Sequence, residues 1–292
     1  MDEVLSCPIC QSAEWQQLFK VTDYSITKEI FELKRCGVCS FIVTSPKPNN
    51  ENLSRYYESD NYISHSGKSN NLLNWIYILA RNYSLKWKLR LANSLRAPGR
   101  ALDIGCGTGE FLNILKKSKW EVAGVEVNKA AREKAKNLIQ QSISESTQET
   151  VGQFDLITLW HVMEHLPQLQ DSLQEISDKL APNGTLLIAV PNHSSYDAQN
   201  YGPLWAAYDV PRHLWHFNQK SMVLLLQKNG FILTKVIPMK LDAFYVSALS
   251  EKYKSNRTTL PNLFRAFLVG AKSNLRAQKT GEHSSLIYIA KK

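Results

Sequence analysis

Four of the five cysteines fall as Cys7-Pro-Ile-Cys10 and Cys36-Gly-Val-Cys39, two C-x2-C pairs with a 25-residue spacer. Two such pairs, each on a tight turn, can offer four thiolates tetrahedrally to one Zn²⁺ ion. In a reducing compartment two disulfides or incidental thiols are the weaker reading. Cys106 stands apart and reads as a small packing residue. A second group is His161, Glu164 and His165, an H-x-x-E-H run that shares one face if the turn is helical. A third is "YDVPRHLWHF", residues 208–217, in which Arg212 could grip an anionic group as a planar fork and His213 is a candidate base. The competing reading of that stretch is a capped turn with buried aromatics.

Residues 101–111, "ALDIGCGTGEF", leave an apolar strand through Gly105, Gly107 and Gly109 and enter a helix. Such a loop exposes backbone N–H groups to a ligand that approaches closely. The dinucleotide fingerprint G-x-G-x-x-G would need its third glycine at Glu110, where a carboxylate would face a pyrophosphate. Charge and spacing both argue against a nicotinamide cofactor.

These residues need elements to hold them. Residues 1–48 read as a zinc-ribbon-like module, with "FKVTDY" and "EIFELKRC" as short strands, closed by the break "SPKPNN". Residues 49–98 read as a helical cover, in which Tyr56, Tyr57, Tyr62 and His65 would fold over a ligand as a lid. From residue 99 to 292, apolar strands alternate with helical patterns. "ALDIGC", "WEVAGVEVN", "FDLITLWH", "TLLIAVPN" after the turn "APNG", "FILTKVIP" and "SSLIYIAKK" are the strands, and βαβ units with a parallel sheet follow. Residues 239–284, with the helix "PNLFRAFLVGAKSNL", read as an insertion.

Over roughly residues 100–240 the sequence resembles the class I S-adenosylmethionine (SAM)-dependent methyltransferases, on "LDIGCGTG", "VAGVE", "FDLITLWHVMEHL" and "LAPNGTLLIAVPN" in order. The resemblance implies a Rossmann-like, doubly wound, mostly parallel seven-stranded sheet with helices on both faces. It implies a SAM site formed by Asp103, Gly105, Cys106, Gly107 and Gly109 beside the methionine part, with Glu126 and Val127 at the ribose. Ser142 and Ile143 would flank the adenine, and Trp160 would end the site. One carboxylate suits two adjacent hydroxyl donors, as Glu126 would have to.

His161, just beyond that strand, is then the first candidate for a general base near neutral pH. The H-x-x-E-H run is literally the inverted zincin pattern, but a strand end in this frame is the wrong context for a peptidase. It also resembles the metal cluster of small-RNA 2′-O-methyltransferases, with His161 in place of their first Glu; alternatively Glu164 and His165 merely organise the loop.

The chain has 292 residues, 43% hydrophobic and 21% charged, an ordinary globular composition with a net charge of +9. The apolar runs 72–80 and 263–271 are about half of what a bilayer crossing needs, and no secretory pattern follows Met1, so the cytoplasm is the expected address. The reading is a SAM-dependent enzyme that methylates O or C of a small molecule, such as a sugar nucleotide, polyketide or quinone-like precursor. The alternatives are an RNA methyltransferase that grips phosphates with its basic surface, or a binding module without activity.

Overall fold

The computed structural model describes residues 1–49, 52, 54–57 and 72–292, without the side chains of 54 and 72–80. Contacts group the chain into two compact units that are not contiguous in sequence. One comprises Met1–Glu58, His161–Gln170 and Ile188–Ile289; the other comprises Ser59–Trp160, Asp171–Leu187 and Ala290–Lys292.

In the first unit, β1 (Trp15–Thr22) and β2 (Ile30–Cys36) form an antiparallel hairpin. Its turn is organised by Asp23, whose carboxylate accepts the N–H groups of Ser25, Ile26 and Thr27, an Asx-type turn. β3 (Ile42–Thr44) continues the sheet, and β8 (Trp215–His216) closes it, with Ile42 opposite His216 and Val43 opposite Trp215. Residues 208–217, read from the sequence as a site segment or a capped turn, therefore supply a short strand to the cysteine-bearing sheet. The reason is that Leu214, Trp215 and Phe217 are buried apolar side chains, which a strand edge accommodates. Phe31, Leu33, Ile42, Trp205 and Tyr208 belong to this unit's core. Tyr56, expected in a lid, is a core residue as well: it is buried, meets Phe31 edge-on and donates its hydroxyl to Glu29. Tyr62 and His65 lie outside the described residues.

The second sheet has the strand order β5-β4-β6-β7-β10-β9. Its members are β4 (Arg100–Ile104), β5 (Glu121–Val125), β6 (Phe154–Trp160), β7 (Leu180–Pro191), β9 (Ile232–Pro238) and β10 (Ser285–Lys291). β4 pairs in parallel with both β5 and β6, the pattern of a doubly wound α/β fold. The interior strands are nearly continuous apolar runs because both faces are covered. Among the described residues this sheet has six strands where seven were expected. The stretch after Gln140 contributes one parallel bridge, Ser144 to Val125, rather than a strand. Its sequence "SISES" offers a single apolar side chain, Ile143, too few to hold a strand against a core. The "APNG" turn is likewise absorbed into β7, with Asn183 in the left-handed region at φ 62°.

Helices connect the strands. α1 (Leu72–Leu95) precedes β4, α2 (Glu110–Lys117) follows the glycine loop, and α3 (Lys129–Ile139) starts at Asn128, whose side chain accepts the Ala131 N–H. Leu112, Leu115, Trp120, Val122, Ala135 and Ile139 form the core beneath the loop. α4 (Leu169–Lys179), α5 (Tyr196–Tyr201) and α6 (Gln219–Lys228) follow, the last opened by an Asn218/Ser221 capping box. Residues 239–284, read from the sequence as an insertion, hold two helices, α7 (Asp242–Ser255) and α8 (Leu260–Thr280).

Candidate functional site

The glycine loop holds three consecutive left-handed glycines at alternate positions, Gly105 (φ 69°), Gly107 (φ 56°) and Gly109 (φ 84°). Two of them have distinct reasons. A Cβ on Gly109 would lie 2.9 Å from the Cβ of Ala135, so glycine lets α2 and α3 approach. A Cβ on Gly107 would meet nothing within 4 Å, so this residue faces open space. Glu126, at the tip of β5, accepts the Gly107 N–H (2.8 Å) on one oxygen and the Asn128 N–H (2.8 Å) on the other. A carboxylate oxygen has two acceptor lone pairs, so both oxygens can still take a hydroxyl donor. The acid and the open glycine thus share one rim of the loop.

Asp103 is buried beneath the loop and accepts the Thr158 hydroxyl at 2.6 Å. Burial raises its pKa to about 7, although Thr158 and Lys88 both favour its charged form. Thr158 and Lys88 escaped the sequence reading. Lys88 sits 4.1 Å from the centroid of the Trp160 ring, which meets Phe111 edge-on. Among the described residues the buried Trp160 indole N–H has no partner, which leaves a donor for a ligand. The Cys106 thiol is buried in the core, and burial pushes its pKa up, as expected of an inert packing residue. Ile143 belongs to the same core, while Ser142 and Val127 are exposed.

His161 follows directly on β6 and carries a left-handed backbone (φ 57°), rare for a residue with a Cβ. Its two ring nitrogens contact two carboxylates, Nδ1 to Glu164 at 3.3 Å and Nε2 to Asp242 at 3.1 Å. Burial disfavours the imidazolium, yet the Asp242 and Glu164 hydrogen bonds outweigh it and raise the pKa to about 10. His161 is therefore a proton donor at neutral pH, and the expected role of general base does not fit its surroundings. Asp242, at the start of α7 and 81 residues away, left no signal in the sequence.

A raised histidine pKa stabilises the fold below the unfolded value, and that contribution fades as pH rises through the folded value. For His161 the loss falls between about 6.5 and 10. Replacing Asp242 by Asn removes one carboxylate, so the imidazole should titrate well below the wild-type position in an NMR pH titration. An unmoved titration would mean that Asp242 does not hold the proton there.

His165 and His213 face each other edge-on at 4.6 Å, beside the buried Glu164. His165 Nδ1 lies 3.0 Å from the Arg212 carbonyl and 3.0 Å from the Tyr57 hydroxyl; His213 Nδ1 lies 2.8 Å from the Ala207 carbonyl. Carbonyls only accept, so both rings donate from Nδ1 and keep Nε2 as an acceptor when neutral. Burial and the neighbouring His213 lower the His165 pKa to about 4. Glu164, despite its burial, is held below the usual carboxylate range by His161 and the flanking histidines. Its second oxygen has no partner among the described residues, and one atom each of Glu164, His165 and His213 lies within 4.8 Å of the others.

Arg212 does not match its expected role as an anion fork. Its side chain is 2% exposed and its donors are taken, by Asp209 (2.7 and 2.9 Å), Asp23 (2.8 Å) and the carbonyl of Tyr56 (3.1 Å). It ties the β1–β2 turn to the 208–217 loop as a buried ionic cluster.

The four cysteines converge. Cys7 and Cys39 sulfurs lie 3.4 Å apart, as do those of Cys10 and Cys36, and all four fall within 4.8 Å of one another as free thiols. Tetrahedral Zn–S bonds of about 2.3 Å imply sulfurs roughly 3.8 Å apart. The two knuckles repeat one geometry: Gln11 and Ser40, each just after the second cysteine, have φ 64° and 62° and donate to the carbonyls of Cys7 and Cys36. At Cys36, burial is outweighed by the Cys39 and Val38 N–H groups, and the thiol pKa falls to about 7.

A family model described as a methyltransferase domain matches residues 78–236, just over half of the chain. Among curated proteins, the ubiquinone biosynthesis O-methyltransferase of Erwinia tasmaniensis is 23% identical over 121 residues, 38% of this chain and 49% of that one. That of Acinetobacter baylyi is 25% identical over 121 residues, 38% and 50% of the two chains. The chain spans about half the length of the curated relatives it matches. Among solved structures, the magnesium protoporphyrin IX methyltransferase of Synechocystis with bound SAH superposes with a TM-score of 0.54. Its identity is 12%, and the match covers 83% of this chain and 99% of that one. The O-methyltransferase segment of StiE gives a TM-score of 0.51 at 16% identity, covering 76% and 78%. At these identities the likeness is one of fold. Over the stretch that carries the glycine loop, Glu126 and the H-x-x-E-H turn, this chain belongs to the family of methyltransferase domains.

Proposed function

We propose that this protein transfers a methyl group from SAM to an oxygen or carbon of a small molecule, such as a sugar nucleotide, polyketide or quinone-like precursor. The observation that carries the reading is the pairing of Glu126 with Gly107, a carboxylate beside a glycine whose missing side chain leaves open space. That rim fits a nucleoside with two adjacent hydroxyls, and the unpartnered Trp160 N–H fits a ligand nearby in the chain's own loop set. The bound cofactor supplies the electrophilic methyl group; the S–CH₃ bond breaks as the new C–O or C–C bond forms, and the acceptor's proton must go to a base. His213 is the second base candidate: its Nδ1 faces the Ala207 carbonyl, which leaves Nε2 as the acceptor when the ring is neutral. The names of the relatives, enzymes of ubiquinone biosynthesis and of protoporphyrin methylation, support a small-molecule acceptor over RNA.

The test is transfer of tritium from methyl-labelled SAM. Label should enter a small-molecule extract and not bulk RNA. Label in RNA alone would overturn the small-molecule reading, and label in neither would favour a binding module without activity.

A second reading keeps the same transfer and adds a divalent ion at Glu164, His165 and His213. It is favoured by the orphaned Glu164 oxygen, since two imidazoles and a carboxylate suit a transition-metal ion. Activity unchanged by chelators that spare tightly bound zinc would exclude it.

The cysteine quartet is proposed as a structural zinc site, in a protein whose five free thiols suit the cytoplasm. Mass spectrometry under native conditions should find one zinc per chain. Cys36→Ser should lose the ion and about 3 kcal/mol or more of stability, since metal affinity is folding energy in such sites. A variant that melts like the wild type would show that the knuckles fold without metal.

A further inference from the structure

The helix pair α7–α8 is built the opposite way to an ordinary surface helix. α8 packs inward with small residues, Ala266, Gly270, Ser273 and Ala277. At Gly270 a Cβ would lie 2.8 Å from the Phe244 ring and 3.1 Å from the Ala243 backbone, so the helices cross closely. The large apolar residues point the other way: Leu260, Phe264, Phe267, Leu268 and Leu275 are each at least half exposed. Their spacing puts them on one stripe about 100° wide. Along one border of that stripe run Arg265, Lys272, Arg276 and Lys279, and α8 contains no acidic residue over its 21 positions.

We propose that this face docks the protein onto an anionic lipid surface, with α8 lying in the headgroup plane. An apolar stripe bordered by basic side chains is the pattern that interfacial helices use: the stripe enters the acyl boundary and the cations meet lipid phosphates. Among the described residues no helix is long and apolar enough to cross a membrane, so the contact is peripheral. The net charge of +9 favours approach to a negative surface. A second copy of the chain suits this face less well, because an antiparallel two-fold contact would set the same basic row against itself. This inference does not depend on the identity of the methyl acceptor.

The test is co-sedimentation of the whole protein with vesicles of phosphatidylcholine, alone or with roughly 30% phosphatidylglycerol, at about 0.05 and 0.5 M salt. Binding to the anionic vesicles should be at least about tenfold tighter than to neutral ones at low salt, and should weaken at high salt. The variant Phe264→Ser/Leu268→Ser/Leu275→Ser should lose binding by about 30-fold or more. Phe267 is left in place because its ring stacks on Phe244 at 5.4 Å. Arg265→Glu/Lys279→Glu should lose about tenfold or more on anionic vesicles alone. Lys272 and Arg276 are spared because they lie over the Tyr196 ring, 5.0 and 4.3 Å from its centroid. Unchanged melting and SAH binding would show that both variants fold.

The proposal is overturned if the wild type ignores anionic vesicles, or if the triple variant binds them equally well. It is also overturned if light scattering shows a dimer that the triple variant dissolves while vesicles stay unbound.

Discussion

Arg212→Met should lower the unfolding free energy by about 3–5 kcal/mol, because two carboxylates lose the cation that neutralises them. Asp23 is fully buried and Asp209 three-quarters so, and both are held below the usual carboxylate range by Arg212 against their burial. The melting temperature should fall by roughly 6–15 °C for a chain of this size. Adding Asp23→Asn to Arg212→Met should recover part of the loss, since the orphaned charge is then gone. The measurement is chemical and thermal unfolding of the three proteins, each with SAH-binding calorimetry. A variant that melts within about 2 °C of the wild type, yet loses activity, would restore the anion-binding role that the sequence suggested.

The second large effect concerns the cofactor. Glu126→Ala should weaken SAH binding by about 100-fold or more, the loss of two hydrogen bonds to a charged acceptor at about 1.5–3 kcal/mol each. The variant also frees the Gly107 and Asn128 N–H groups that Glu126 now holds, so the loop loses its shape as well as its acceptor. Glu126→Gln keeps one acceptor oxygen and should fall between, at roughly tenfold. Calorimetric titration of the three proteins separates these outcomes. Equal affinities across the series would remove Glu126 from the ribose site.

How much of this could be seen in the sequence depended on distance along the chain. The strands β4, β6 and β7 were visible because parallel strands covered on both faces must be apolar almost throughout. The glycine loop and Glu126 were visible because backbone conformation and hydroxyl recognition each constrain residue type locally. The cysteine pairs announced themselves by spacing alone. Partners brought in from far away were not visible. Asp242 reaches His161 across 81 residues, and Asp23 reaches Arg212 across 189.

For that reason His161 read as a base and Arg212 as a substrate clamp. Both residue types fit those roles, and only the carboxylates opposite them decide otherwise. The strand β8 was missed for a related cause: two residues carry no periodicity, and its pairing partner lies near the other end of the chain. The shortfall of one sheet strand was legible in principle, since "SISES" lacks the apolar alternation that a strand needs.

The central claim is that the rim formed by Gly107 and Glu126 binds a SAM-type nucleoside. Its most direct test is calorimetric titration of the wild-type protein with S-adenosylhomocysteine. Saturable binding of one nucleoside per chain, displaced by SAM and unaffected by NAD, is the predicted result. No saturable binding up to about 1 mM, where the binding free energy is only about −4 kcal/mol, would contradict the account.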